Sequence, residues 1–557
     1  MSQPQPHSAL VYAIPQLEDS TSHHIVAQCE SSPVHRVLSH EPLLGLILRF
    51  ALNTEGRGGR ASVAAFALTC QDMYNVAVRV LWERMDNICP LAMTARRGVI
   101  WECTKVQGPL AEWTARLSDP SRGLAPLDLT SLMRHAEYIK ELVLRHCFDG
   151  VVSITEHPTL FLLPKRSTCG PAPLLPCLRI LKAYAGHQQL HLKIFAAPTL
   201  QRLDIKATLY DKLDQLIPVL EEILLHCPEL ERLAITESDR PDGERLCDNA
   251  PVRKAFKHFL TELPHSPPGA RFRCLKTEVP IHWEDILILA QLPNLETLNA
   301  LADFDDFDKS PTRSDLPEGS FARLSHLQLR LWSFDEALLR ILKNVHSPVL
   351  ESLDVTAWLH EFVPTRDLAY RFFQLASQER FRHTLRRFRL WIDCDGPFTH
   401  GIREAGQVLY DMATIEPLRD VRSLERVCIS VPAFRYGSVT TATLVSFREL
   451  ARAWRSIRKL EIYSNYTRKS HIDLRVLWAF AFSPVLEELG FNRISWDSTR
   501  SLANLNRLKV NGEWAPRSGS LKRLCFRRCI GTEEEKELIR EYAWELFPNV
   551  NIGDARY

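Results

Sequence analysis

The sequence of 557 residues lacks any apolar run that approaches a bilayer-spanning helix, which takes about 20 residues. It also lacks an excess of one charge sign, because 69 lysines and arginines nearly balance 67 aspartates and glutamates. This balance argues against whole-chain binding to nucleic acid, which needs a strongly basic surface. Residues 1–10 have neither a basic head nor an apolar core, so they predict no secretory signal. We therefore expect a cytoplasmic or nuclear protein.

The 14 cysteines include no Cys-x-x-Cys pair. Cys525 and Cys529 are the closest together, and the histidines are distant from both, which is poor geometry for zinc. The acidic run at residues 303–308 lacks the central glycine and closing glutamate of a calcium loop, and it predicts an exposed loop. The scattered thiols predict small buried side chains in a reducing compartment. The sequence thus predicts no metal and no cofactor.

Motifs of known catalytic chemistry are also missing. No phosphate-binding Gly-x-x-x-x-Gly-Lys, no Gly-x-Gly-x-x-Gly, no His-Glu-x-x-His and no Gly-x-Ser-x-Gly occurs. The 20 histidines are dispersed, and none is visibly paired with a nucleophile. We expect a protein that binds partners and catalyses nothing. The alternative is an enzyme whose site is assembled from distant residues.

Helical spacing begins after a polar segment. Residues 1–33 are rich in Pro, Gln, Ser and His, and they predict a flexible tail. The first predicted helix has an apolar stripe at Leu43, Leu44, Ile47, Leu48 and Ala51. The glycine-rich run at residues 54–60 predicts a break. A second helix over residues 62–69 and a third over residues 73–81, which closes on Trp82, are predicted to follow.

Three segments of this region resemble the F-box of fungal F-box proteins. Residues 37–50 read Val-Leu-Ser-His-Glu-Pro-Leu-Leu-Gly-Leu-Ile-Leu-Arg-Phe, with a proline and paired aliphatics. Residues 65–70 read Ala-Phe-Ala-Leu-Thr-Cys, and residues 80–83 read Val-Leu-Trp-Glu. In that family an aliphatic-x-Cys ends the second helix and Leu-Trp closes the third. A generic three-helix bundle end is the alternative interpretation.

The resemblance implies that the three helices insert into a Skp-type adaptor, which bridges to a cullin. A substrate held elsewhere on the chain would then receive ubiquitin from other subunits. The adaptor-binding residues carried over from the family are Leu38, Pro42, Leu43, Ile47, Leu68, Met73 and Trp82. Some of them must form the core of the three helices themselves, and the sequence does not separate the two groups.

From Ile139 onward a short string recurs: an aliphatic, two variable residues, an aliphatic, one variable residue and an aliphatic. Copies start at Ile139, Leu200, Leu230, Leu324, Leu350, Leu385, Leu424, Ile457, Leu486, Leu505 and Leu521, with weaker copies at Leu178 and Leu295. Their spacing of roughly 20 to 40 residues is typical of leucine-rich repeats at its lower end.

Several copies have a proline two residues before the first aliphatic, as at Pro198 and Pro228. We expect this proline to end a helix and to start the strand in an extended conformation. Helical patterns lie between the strings, so each unit is a strand, a turn and a helix.

The predicted fold is therefore α/β: an N-terminal three-helix F-box, followed by an irregular leucine-rich-repeat solenoid with a parallel concave sheet and helices on its convex side. The predicted domains are a tail at 1–33, the F-box motif at 34–85, a helical linker at 86–135 and the repeat domain at 136–557.

Because strand side chains alternate, the fourth and sixth residues of each string face the core, and the third and fifth face the groove. The groove residues of the C-terminal half lean basic. Those proposed to bind a substrate are Arg387, Arg389, Arg426, Lys459, Arg507, Lys509 and Arg523. An acidic or phosphorylated segment would suit them, since arginine binds such groups bidentately. Ordinary solvated strand charges are the alternative.

These observations and the resemblance predict the substrate-recognition subunit of a Skp–cullin–F-box ubiquitin ligase. Its F-box would dock on the adaptor and its repeats would bind an unknown protein substrate, without nucleic acid, membrane or cofactor. The alternative is a leucine-rich-repeat protein-binding scaffold that is not attached to a ubiquitin ligase.

Overall fold

A computed structural model describes the chain in segments, and every structural statement below concerns them. The described residues are 40–54, 57–86, 90–91, 94, 102–105, 113–116, 130–144, 173–185, 195–207, 216–237, 249–304, 316–317, 319–358, 365–393, 410–431, 441–464, 472–473, 475–495, 518–529 and 533–554. They form two compact units, and the division between the units falls between Glu83 and Arg84.

The described part of the first unit consists of three helices, α1 (Glu41–Thr54), α2 (Arg57–Ala67) and α3 (Gln71–Glu83). Each places one apolar stripe against the other two. The buried core is formed by Leu44, Leu48, Val63, Ala67, Ala77 and Val80. Two ion pairs join α1 to α3, Arg49 with Glu83 at 2.6 Å and Arg79 with Glu41. Since all four side chains are partly or largely exposed, these pairs add little beside the apolar packing.

Helix α2 begins inside the glycine run that predicted a break, so that prediction is wrong from Arg57 onward. The reason is the packing of α1 against α2. A Cβ atom at Gly59 would lie 2.6 Å from the Ala51 carbonyl oxygen and 2.9 Å from that of Leu52. Gly59 therefore allows two backbones to approach more closely than any other residue would permit.

The second unit is built around one parallel sheet of 16 strands among the described residues, and fifteen of them follow one another in a single path. The sheet strands are β1 (Arg84–Met85), β4 (Glu141–Leu144), β5 (Ile180–Ala185), β6 (Arg202–Ala207), β7 (Arg232–Glu237), β8 (Cys274–Ile281), β9 (Thr297–Ala302), β10 (His326–Leu331), β11 (Ser352–Trp358), β12 (Arg387–Asp393), β13 (Arg426–Val431), β14 (Lys459–Ser464), β15 (Ile472–Asp473), β16 (Glu488–Ser495), β17 (Arg523–Cys529) and β18 (Asn551–Asp554). Only β15 lies off the path, paired with β16.

Helices lie between many, though not all, of these strands among the described residues. They are α4 (Thr130–Ala136), α5 (Leu216–His226), α6 (Ala250–Glu262), α7 (Trp283–Leu289), α8 (Glu336–Asn344), α9 (Arg366–Ala376), α10 (Met412–Ile415), α11 (Thr441–Ala453), α12 (Arg475–Phe480) and α13 (Glu533–Leu546). Side-chain caps define several starts: Asn249 accepts from the Val252 amide at 2.9 Å, and Asp335 accepts from the Ala337 amide at 2.9 Å. Such caps satisfy amides that lack a partner within the helix.

The repeated string predicted this unit because its aliphatics are the buried residues. In β6, Leu203 and Ile205 are buried and alternate with half-exposed Arg202 and Asp204. The first aliphatic of each string, such as Leu200, is buried at the strand entrance. The predicted α/β repeat solenoid is thereby confirmed. The copy at residues 505–510 lies outside the described residues, and β16 pairs directly with β17.

Proline before the string has a different function from the one expected. The Leu200 amide donates to the Ala197 carbonyl at 2.9 Å, so Pro198 is the second residue of a tight turn. Leu230 and Cys227 close the same turn around Pro228 at 3.1 Å. Proline fits this position because its fixed φ matches that of the turn. The prediction that it starts the strand is corrected accordingly.

Two regions depart from the sequence patterns. The predicted helical linker at 86–135 contains an antiparallel pair, β2 (Glu102–Lys105) and β3 (Trp113–Arg116), besides α4. Strand β8 has no counterpart among the predicted copies. There Phe272 replaces the first aliphatic, and buried Thr277 replaces the last. The Thr277 hydroxyl accepts from the Val279 amide at 2.9 Å, so the buried hydroxyl has a hydrogen-bond partner.

We expect Gly59→Ala to weaken the first unit, since the added Cβ must displace backbone atoms of α1. Overpacking of this kind costs about 1–3 kcal/mol. Native-state amide exchange over residues 41–83 of the full chain measures the free energy of opening. Gly45→Ala is the control, because a Cβ there meets only Arg49 Nη1 at 3.8 Å. Equal exchange in both variants would contradict the close-approach account.

Candidate functional site

Helix α1 carries apolar residues on two sides. One side enters the core through Leu44 and Leu48, while the other faces solvent. The exposed residues, here called the apolar face, are Leu43, Leu46, Ile47 and Phe50. Their spacing of i, i+3, i+4 and i+7 places them on a single stripe. Phe50 is 70% exposed and Leu46 is 60% exposed, so most of the surface of these two side chains faces solvent.

Leu68, directly after α2, is a further exposed apolar residue, with 78% of its surface accessible. The other residues predicted to contact an adaptor separate into three groups. Pro42 is exposed beside the apolar face, whereas Met73 packs against the core of the three helices. Trp82 is half-buried on α3. Leu38 lies outside the described residues.

Sequence reasoning missed Leu46 and Phe50. The predicted stripe of Leu43, Leu44, Ile47, Leu48 and Ala51 forms one apolar surface, and it does not include these two residues. At about 100° per residue, two apolar arcs separated by more than 90° cannot share one face. The positions of Leu43, Leu46, Ile47 and Phe50 around the helix axis define a second apolar arc. The signal was therefore present in the sequence.

The second unit displays rows of side chains on the outer face of its sheet, where residues of neighbouring strands stand opposite one another. The C-terminal part of one such row, here called the first outer row, is formed by Ser352, Arg387, Arg426, Lys459, Glu488 and Arg523. Two residues further along the strands lies the second outer row, which contains Asp354, Arg389, Cys428, Glu461, Gly490 and Cys525.

Most charges of these rows are paired. Lys459 Nζ lies 3.1 Å from a carboxylate oxygen of both Glu461 and Glu488. Burial acts to lower the pKa of Lys459, but the two glutamates outweigh it and the pKa is raised. Near the other end of the sheet, Asp204 lies 2.5 Å from Arg202 and 3.4 Å from Arg232. The charges of Lys459 and Asp204 are therefore balanced by neighbouring side chains of opposite charge.

The predicted basic residues are thus not equivalent. Arg387 and Arg426 stand opposite each other, and among the described residues neither forms an ion pair, although Arg426 helps to lower the pKa of Glu487. Arg389 lies 3.5 Å from Asp354, whose pKa is raised by burial against the opposing effect of Arg389. Arg523 on β17 is exposed and stands opposite Glu488 of β16.

Two further basic residues of the prediction, Arg507 and Lys509, lie outside the described residues, so the structure adds nothing to their predicted role.

Thiol and metal chemistry find little support in the described part of the chain. Burial raises the pKa of Cys227 to about 12, and burial next to Glu461 raises the pKa of Cys428 to about 12. Both thiols are therefore protonated and unreactive at neutral pH. Where side chains are described, no three His, Cys, Asp or Glu residues converge as metal ligands. Across those same residues, no helix is long and apolar enough to span a bilayer.

Comparisons with known proteins identify weak structural likeness only. No protein-family model and no curated protein match the chain. The crystal structure of the Rad7 and Elc1 complex in yeast matches with a TM-score of 0.30 and 12% identity, over 64% of this chain and 82% of that chain. The plant peptide hormone receptor RGFR1 in complex with RGF2 matches with a TM-score of 0.24 and 10% identity, over 69% of this chain and 65% of that chain. The fold assignment rests on the strand register and the burial pattern.

We expect the described cysteines to separate by reactivity. Brief alkylation of the native chain at neutral pH should modify exposed Cys70 and Cys177, and it should leave Cys227 and Cys428 unmodified. Peptide mass spectrometry gives the extent at each site, and alkylation in denaturant provides the control for peptide recovery. Rapid native labelling of Cys428 would show that its thiol is activated, contrary to this account.

Proposed function

We propose that this chain is a substrate receptor of a Skp–cullin–F-box ubiquitin ligase. Its three helices dock on a Skp-type adaptor through the apolar face of α1, and its repeat sheet binds a protein substrate. The chain itself catalyses no transfer, and it acts in the cytoplasm or nucleus. The observation that carries the proposal is an apolar core on one side of α1 and a largely exposed apolar stripe on the other.

Burial of the exposed stripe of α1 by a binding partner would lower the free energy of the complex. A fully buried Leu, Ile or Phe side chain gains about 1.5–3 kcal/mol over an exposed one. Leu43, Leu46, Ile47 and Phe50 leave a large part of that free energy unrealised in the isolated unit. A partner with a complementary groove recovers it by covering one face of a helix, a frequent recognition mode.

The buried core of the three helices is formed without Leu43, Leu46, Ile47 and Phe50. Leu44 and Leu48 already join α1 to the core formed with α2 and α3, and Gly59 allows close contact between the first two helices. Polar residues at the four exposed positions would give a more soluble unit with the same core. Their apolar character therefore supports a docking role, as the F-box resemblance implies.

We expect purified full-length chain to retain a Skp-type adaptor in a pull-down. Leu46→Asp combined with Phe50→Asp should abolish retention, because two carboxylates would be desolvated in the interface. The matched control is Leu225→Asp combined with Val349→Asp, which alters exposed apolar residues of the second unit. Circular dichroism verifies that each variant stays folded.

Failure of the native chain to retain the adaptor would overturn the ligase proposal. It would leave the repeat domain as a protein-binding scaffold without a ubiquitin ligase. Equal loss in both double variants would show that the effect is unspecific. Retention of the adaptor by the Leu46→Asp, Phe50→Asp variant would remove the apolar face from the interface.

A further inference from the structure

Three tryptophans stand half-exposed on the outer face of the central sheet. Trp332 directly follows β10, and Trp358 ends β11. Their rings lie 5.7 Å apart between centroids, tilted by 43°. Trp391 lies on β12 and carries the Arg389 guanidinium over its ring at 5.4 Å. Tryptophan and arginine are the residue types most enriched in the parts of interfaces that dominate binding energy.

The strand register places the two free arginines on the same face. Trp391 and Arg387 both lie on β12, separated by about 13 Å at the usual rise per residue. Arg426 stands opposite Arg387 on β13, and Trp358 stands opposite Asp393. The surface is therefore aromatic at one end and cationic at the other. We call it the tryptophan–arginine surface, formed by Trp332, Trp358, Trp391, Arg387, Arg389 and Arg426.

The pairing of Arg387 with Arg426 opposes stability. Like charges directly opposite one another on neighbouring strands are destabilising. Directly before these two strands, Arg386 and Glu425 form an ion pair at 3.5 Å. Further along that earlier row, Glu487 pairs with Arg458 at 3.6 Å and with Lys522 at 2.9 Å. The sheet thus pairs opposite charges between strands there, whereas Arg387 and Arg426 form no ion pair, and Arg426 interacts only at longer range with Glu487, whose pKa it helps to lower.

We propose that the tryptophan–arginine surface binds an extended anionic peptide segment of the protein substrate, with anionic groups over Arg387 and Arg426 and an apolar side chain against Trp332 and Trp358. Carboxylate or phosphate groups supply the same chemistry, since arginine binds both through charge-assisted hydrogen bonds. This deepens the proposed function by naming the substrate class. It involves no adaptor, so it is tested independently of the docking of α1.

A peptide suits the surface better than a nucleic acid. Nucleic-acid sites neutralise many phosphates, with about 6–10 contacts in a typical complex. On this surface the cations that lack an ion pair are Arg387 and Arg426, two adjacent side chains, because Arg389 is already paired with Asp354 and Lys459 beside them with Glu461 and Glu488. Two adjacent cations suit a short anionic segment better than a continuous phosphate backbone.

Fluorescence anisotropy of the full chain with labelled synthetic peptides tests the proposal. One peptide carries several glutamates around a central leucine, a second replaces two glutamates by phosphoserine, and a third replaces all glutamates by serine. A single-stranded oligonucleotide of similar length represents the other class. Both anionic peptides should bind, and binding should weaken between about 50 and about 200 mM salt, as electrostatic contacts do. Tighter binding of the phosphoserine peptide would assign the anion to phosphate, and equal binding would assign it to carboxylate.

Arg387→Ser combined with Arg426→Ser should weaken the binding of the anionic peptides by at least about tenfold, the effect of one lost charge-assisted contact or more. Both side chains are exposed, so folding is unaffected. Arg452→Ser combined with Arg455→Ser removes the same charge from exposed positions at the end of α11, and it should leave binding unchanged. A change in tryptophan emission on binding that is lost in a Trp358→Leu variant would place the peptide at the aromatic end, because the other tryptophans of the chain are unchanged in that variant.

Several results would overturn the proposal. They are the absence of binding by both anionic peptides, equal binding of the serine peptide, and equal loss in the two double variants. Tighter binding of the oligonucleotide that is lost with Arg387 and Arg426 would assign the surface to nucleic acid instead. Loss of adaptor retention with peptide binding intact would overturn only the ligase proposal.

Discussion

The repeat domain depends on one backbone arrangement that recurs from strand to strand. At the entrance of most described strands a single carbonyl accepts two consecutive amides of the next repeat. The Arg386 carbonyl accepts from Glu425 at 2.8 Å and from Arg426 at 3.0 Å, and the Glu425 carbonyl accepts from Arg458 at 2.8 Å in the same way. This arrangement fixes the register, and a slip of one residue would reverse the face of every side chain. Side chains of equal position therefore stack into rows.

The stacking of equivalent side chains into rows accounts for the continuous apolar core of the domain and for the side-chain pairs on its outer face. On the inner face, buried residues such as Leu353, Phe388 and Val427 continue one apolar layer through successive repeats. On the outer face the same register brings residues from distant parts of the sequence side by side. Pairs of opposite charge, pairs of like charge and the tryptophan pair all arise from this geometry. The described part of the first unit has no such rows, and its three helices depend instead on the close packing of α1 on α2 at Gly59.

The repeat could be predicted from the sequence because the same aliphatic positions recur in every copy of the string, and each recurring position becomes one row of the sheet. The prediction failed at β8, where Thr277 satisfies its hydroxyl locally and so replaces an aliphatic without a visible signal. It failed at the glycine run, because Gly59 acts through atoms of another helix. Partners of charged residues could not be assigned either. Whether Lys459 is neutralised and Arg387 is free depends on the neighbouring strand, which the local sequence does not specify.

Amide hydrogen–deuterium exchange of the full chain, with and without a Skp-type adaptor, tests the central claim most directly. The account predicts added protection in α1 and around Leu68, the segments that carry exposed apolar side chains. It predicts unchanged exchange in the strands of the repeat sheet, whose amides are bonded to one another already. Protection confined to the repeat domain, or no change in α1 at adaptor concentrations that saturate binding, would contradict the assignment of α1 as the docking element.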